Sequence, residues 1–187
     1  MKNMYLKGLL LLILLTGNSH LFAQSNKIPW GHGTKLTWED FQAAPDTRKD
    51  AFAYTEYTLD NSFGLDGSGK ILVKVNCSFA KNKSWKKTDK KLTPELLKHE
   101  QGHFDIGEIY ARKLRQTFAN YSLTHIYSPN TKMEIEIIVQ KAMDEAHAFE
   151  AQYDKETNRG IVAAKQEEWW LKIATMLKDF NQFEERL

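Results

Sequence analysis

"LTPELLKHEQGHFDIGEIYARKL", residues 92–114, decides how the chain is read. Thr93 is suited to cap a helix, Pro94 to open it, and Glu95 to complement its dipole. Leu96, His99, His103, Ile106, Tyr110, Leu114 and Phe118 then recur at spacings of three and four, the inward stripe of a helix. Gly107 interrupts good helix formers and predicts a close neighbour there. Asp105 and Glu108 fall off the histidine face and are expected to be solvated.

Inside this stretch His99, Glu100 and His103 stand in the order H-E-x-x-H. Histidines four apart on a helix stack over successive turns, so both can aim a ring nitrogen at one Zn²⁺ about 2.0–2.1 Å away. The glutamate beside that face can take a proton from a metal-activated water and return it to a leaving amine. Unpaired imidazoles on an inward stripe are costly to bury, and a metal gives them a partner. The spacing therefore names His99 and His103 as zinc ligands and Glu100 as general base and acid.

Working outward, "AFAYTEYTL" (51–59) and "KILVKVNCSF" (70–79) have strand composition and period-two alternation. "GLDGSG" between them predicts an antiparallel hairpin. "LTWEDFQAAPD" places Thr37 and Asp40 in capping-box spacing, a single helical turn before Pro45. After a connection over 120–131, a second helix is expected from about Lys132 to Asp154, with Ile135, Ile138, Val139, Ala142, Ala146, Phe149 and Tyr153 inward. "KETNRG" ends it, and a third helix carries Val162, Trp169, Trp170, Ile173, Leu177 and Phe180. Strands followed by helices make the expected class α+β: a small antiparallel sheet, then three helices.

The N-terminus has a different character. Lys2 and Lys7 precede the apolar run Leu9 to Leu15, then polar residues and a small Ala23. That order is a secretory signal over residues 1–23, and the run is too short to span a bilayer. The expectation is an exported protein, periplasmic or extracellular, with one domain over 24–187. Removing the signal leaves 24 basic against 24 acidic side chains, so charge suggests neither nucleic acid nor stable membrane insertion. Cys77 is the only cysteine, which excludes an intramolecular disulfide, and it reads as an inert strand residue.

A catalytic zinc takes three protein ligands and a water. The extended H-E-x-x-H-x-x-G-x-x-H pattern fails, because Ile106 and Ile109 stand where its glycine and third histidine would be. His147, on a helix face shared with Glu150 and Asp154, is the best positional candidate for the third ligand. His32 and His125 are loop histidines with weaker claims, and His20 belongs to the signal.

"LLKHEQGHFDIGEIYARKL", followed by "YDKETNRG" and "KQEEWW", resembles the predicted secreted zinc-dependent proteases of bacteria, also described as a domain of unknown function. "LTWEDFQAAPD", "AFAYTEY" and "SFAKNKSW" extend the likeness over nearly the whole mature chain. The resemblance implies a zincin-like active-site helix, a bound Zn²⁺ and a peptide or protein substrate. That family's second motif reads Tyr-Asp-x-x-Thr-x-His, which implies its histidine as third ligand. Tyr153, Asp154 and Thr157 match, but Arg159 stands at the histidine position, and a guanidinium offers a metal no lone pair. His147 or Asp154 then completes the site, or the protein is a non-catalytic exported relative that binds a partner. In the catalytic reading, Tyr153 either hydrogen-bonds the developing oxyanion or packs in the core.

Overall fold

The computed structural model describes residues 25–65, 71–120 and 129–185. The signal expected over 1–23, most of the "GLDGSG" turn, the connection after Asn120, His20 and His125 lie outside the described residues. Ten-residue β4 (Ile71–Ala80) is the central strand, because its apolar side chains alternate cleanly. Val75, Cys77 and Phe79 are buried beneath the helices, while Lys74 and Asn76 are exposed on the other face. β3 (Tyr57–Leu65) pairs antiparallel with it, Leu59 opposite Cys77, as the hairpin reading expected. β1 (Lys27–Pro29) pairs antiparallel along its other edge, giving the order β1-β4-β3. Cys77 is a packed core residue, and burial pushes its thiol pKa well up.

The single strand expected over 51–59 is instead two. β2 (Ala53–Tyr54) pairs with β5 (Trp85–Lys86) in a separate ribbon. The break comes at Glu56, whose N–H donates to Ser84 Oγ (2.9 Å) and whose carbonyl accepts from Ala80 N–H (2.8 Å). Those bonds turn the chain out of the ribbon and aim Thr55 at the first helix. The turn expected at Thr37 is a 3₁₀ turn over Trp38–Asp40, with the Thr37 N–H donating to Asp40 Oδ2 (2.9 Å).

Helix α1 (Pro94–Asn120) begins as the capping residues dictate: Leu96 N–H donates to Thr93 Oγ1 (3.1 Å) and Leu97 N–H to the Thr93 carbonyl (3.1 Å). One side lies on the sheet, with the Phe79 and Phe104 rings 5.8 Å apart and edge to face. The other sides meet α2 (Pro129–Thr157) and α3 (Ala163–Asp179). α1 is therefore buried almost all round over its middle turns rather than along one stripe. The architecture is α+β: a small antiparallel sheet followed by three helices.

This central position corrects the reading of two acids. Glu108 is not solvated but 2% exposed, bonded to Arg112 Nε (2.9 Å) and Arg115 Nη1 (2.8 Å). Asp105 is partly buried and accepts from Trp30 Nε1 (2.9 Å) and Gln101 Nε2 (3.0 Å). Both turn away from the histidines, as helical geometry requires, but what they meet is protein. Val162 also departs from its expected inward place; it precedes the first residue of α3 and is 40% exposed. Among the described residues no helix is long and apolar enough to cross a membrane.

Gly107 has the close neighbour its position predicted. A Cβ there would stand 2.7 Å from Cδ2 of the Tyr57 ring, which is held between sheet and helix at 6% exposure. Alanine gains about 1 kcal/mol of helix propensity, while overpacking costs about 1–3 kcal/mol. Because the buried ring has little room to yield, overpacking wins. Gly107→Ala is expected to lower the melting temperature by about 2–8 °C. An unchanged or raised melting temperature in a calorimetric scan would show that the contact is not tight.

Candidate metal centre

One turn of α1 separates His99 from His103, and their rings stand perpendicular with centroids 4.9 Å apart. Asp154, near the end of α2, comes up between them. Its Oδ1 is 3.1 Å from His99 Nε2 and 3.0 Å from His103 Nε2. Behind each ring lies an acceptor: Gln166 Oε1 is 2.8 Å from His99 Nδ1, and Glu150 Oε1 is 3.2 Å from His103 Nδ1. Gln166 is locked in that orientation because its Nε2 donates to Tyr153 Oη (2.7 Å).

These outer bonds decide what the centre can do. Every ring nitrogen faces an oxygen acceptor, so a neutral ring can satisfy only one of its two; with a cation at the centre, Nδ1 would carry the hydrogen and Nε2 would keep its lone pair. In that state two imidazole lone pairs and a carboxylate oxygen would point at one another with no hydrogen between them. Such a cluster needs a proton or a cation. Burial disfavours the His103 imidazolium, but bonds with Asp154 and Glu150 outweigh it and push the pKa up to about 10. Burial likewise opposes ionisation of Asp154, yet hydrogen bonds from His103 and His99 hold its carboxyl well below the usual range. A metal ion among these donors would take the place of that proton.

His99, His103 and Asp154 could therefore hold a metal ion; their donor atoms lie within 4.8 Å of one another. Two imidazoles and one carboxylate also match a known ligand type of catalytic sites. Of the alternatives left open by the sequence, Asp154 joins the two histidines. His147 is exposed on the wall of the same pocket, outside the donor set. His32 lines a separate pocket beside Gln101 and Asp105.

The surrounding chain is shaped to bring these groups together. A Cβ at Gly102 would lie 2.4 Å from Tyr153 Oη, so only glycine lets Tyr153 rest against α1. Tyr153 stacks on His99 at 4.5 Å between centroids, and its hydroxyl donates to the His99 carbonyl (3.2 Å). Fully buried and bonded at its hydroxyl, it packs in the core rather than serving as an oxyanion donor. After α2, Gly160 takes φ +81° and brings the chain so close that a Cβ would be 2.9 Å from His99 Cβ.

Glu100 is 3% exposed and accepts from Thr55 Oγ1 at Oε2 (2.7 Å). It shares with the three donors the wall of a pocket of about 350 Å³. The structure thus brings His99, Glu100 and His103 to one cavity. Sequence reasoning missed the roles of Thr55 and Gln166, and saw Glu150 only as a neighbour of His147. For Gln166 the one available signal was its place in "KQEEWW"; for Thr55 there was none.

Residues 35–160 match a family of bacterial proteins of unknown function, DUF922. The chain belongs to that family. The DUF922 match takes in the ribbon, the sheet residues from Tyr57 onward, α1 and α2, and so all three donors and Glu100, but stops before α3 and Gln166. No curated protein and no solved structure matches the chain.

A metal titration separates the two candidate third donors. Asp154→Ala is expected to weaken divalent-metal binding at least about 100-fold, no less than loss of an outer-shell partner can cost. His147→Ala is expected to leave it unchanged. Calorimetry showing the reverse order would move the third donor to His147.

Proposed function

We propose that this protein is an exported zinc metallopeptidase built on a zincin-like helix, with His99, His103 and Asp154 as the zinc ligands and Glu100 as the proton carrier. The observation that carries the reading is the convergence of three lone-pair donors, oriented by Gln166 and Glu150, beside a carboxylate in an open pocket. Zinc suits it because a His₂-carboxylate set leaves one position for water. Bound there, zinc supplies Lewis acidity at a peptide carbonyl and lowers the pKa of water.

The chain's own residues do the rest. Thr55 donates to Glu100 Oε2 and fixes that carboxylate, leaving Oε1 to take a proton from the attacking water. The same oxygen returns the proton to the departing amine. Gln166 and Glu150 keep both rings in the tautomer whose Nε2 faces the cation. Export rests on the charged, apolar and small-residue order of residues 1–23, and it places the substrate, a peptide or protein, in the periplasm or outside the cell.

The alternative of a non-catalytic relative rested on Arg159 standing where the resembled proteases carry a histidine. Asp154 weakens that alternative, since it offers the third donor Arg159 cannot. Glu100→Gln tests the reading, because the amide oxygen can still accept from Thr55 while the base is lost. The variant is expected to keep one zinc per chain and the wild-type melting temperature. Its hydrolysis of a denatured protein substrate should fall about 10²–10⁴-fold. Zinc-loaded wild type that cleaves no peptide, or a variant that cleaves as fast, would refute the peptidase assignment.

A further inference from the structure

Among the described residues, Arg159 is the only lysine or arginine on the wall of the metal pocket, which otherwise carries five carboxylates: Asp50, Glu56, Glu100, Glu150 and Asp154. Its backbone is unusual as well. Asn158 and Arg159 both take left-handed conformations, φ 48° and 54°, which an arginine adopts only when its surroundings impose it. They do so here. Arg159 N–H donates to the Asp154 carbonyl (2.8 Å), and Gly160 follows tight against His99. The guanidinium is thereby set one turn beyond a metal donor, on a segment without freedom to swing away.

The side chain itself is only lightly held. It bonds the backbone carbonyl of Asp50, and its Nη1 lies 3.4 Å from the Asp50 carboxylate, an ion pair fully exposed on the acid's side and half exposed on the arginine's. Nη1 makes both contacts; the remaining fork of a guanidinium suits a second, planar, bidentate anion. Away from the metal itself, the acidic wall repels carboxylates except beside this group, so at the rim a carboxylate-bearing substrate has one place to put its charge.

We propose that Arg159 is a specificity-determining residue that binds a carboxylate of the peptide substrate at the rim of the metal pocket. This rests on the peptidase reading for its substrate class. Two sources share the chemistry: the free C-terminal carboxylate of a peptide, which makes the reaction a carboxypeptidase step, or an acidic side chain beside the cleaved bond.

The test uses N-acetylated peptides of one sequence ending as the free acid, as the amide, or as the amide with a terminal glutamate. Calorimetry on the zinc-loaded Glu100→Gln chain, whose hydrolysis is slowed about 10²–10⁴-fold, reads binding with little turnover. Binding of the free acid or of the glutamate peptide at least about tenfold tighter than the plain amide is expected, and which of the two binds tighter names the source. Arg159→Met should erase that preference while binding the amide as before, and Arg159→Lys should keep part of it. Circular dichroism and melting establish that both variants are folded. Equal binding of all peptides, no binding of any, or a preference that survives Arg159→Met would overturn the proposal. Hydrolysis by wild type is scored separately: selective binding without cleavage refutes the peptidase reading and leaves the carboxylate site, and unselective cleavage does the reverse.

Discussion

Tyr153 resting against the bare backbone at Gly102 is the contact from which the rest of the centre follows. Its ring lies between α1 and α3, stacked on His99, edge-on to His103 and 5.2 Å from the Trp169 ring. Its hydroxyl joins the His99 carbonyl to Gln166, so one residue ties three helices together at the metal face. Seating Tyr153 also delivers its neighbour, Asp154, to the two Nε2 atoms. The following turn repeats the device from the other side. Thr157 Oγ1 donates to the Tyr153 carbonyl (2.6 Å), and Gly160 then folds the chain back onto His99. Two glycines make these approaches possible because any side chain would fill the gap.

The electrostatics depend on that geometry. A buried histidine is ordinarily satisfied by one donor and one acceptor; here both rings have acceptors at each end, Gln166 or Glu150 behind and Asp154 in front. The raised pKa of His103 and the lowered pKa of Asp154 express the same demand for positive charge at the centre. Carboxylates placed behind a ligating imidazole raise its basicity, and those in front complete the donor set. Glu150 and Asp154, one turn apart on α2, perform these two tasks for the same histidine.

Much of the architecture was legible because it is written in local chemistry. Thr93 and Pro94 announce the start of α1, alternation announces β4, and the spacing of His99 and His103 announces two rings on one helix face. What escaped depends on contacts between distant segments. Helical period says which residues share a face but not what lies opposite, so Glu108 read as a surface acid although Arg112 and Arg115 enclose it. Asp154 and His147 lie on one face of α2, and only the pitch of α2 against α1, set at Gly102, decides which reaches the histidines. Thr55 was hidden in a strand that breaks at Glu56, a break caused by bonds to Ala80 and Ser84, 24 and 28 residues further along.

The matched family region ends at Gly160, yet the centre does not. Without Gln166 the His99 ring has no acceptor at Nδ1, and without Trp169 the Tyr153 ring loses the wall that presses it on His99. Trp169 also donates to Glu156 (2.8 Å), fastening α3 to the last turn of α2 just before the left-handed pair at Asn158 and Arg159. The helix beyond the family boundary thus gives His99 Nδ1 its acceptor and holds the path of the segment that carries both Asp154 and Arg159. The site extends through α3, because the residues that could hold a metal ion are oriented from behind by residues outside the donor set.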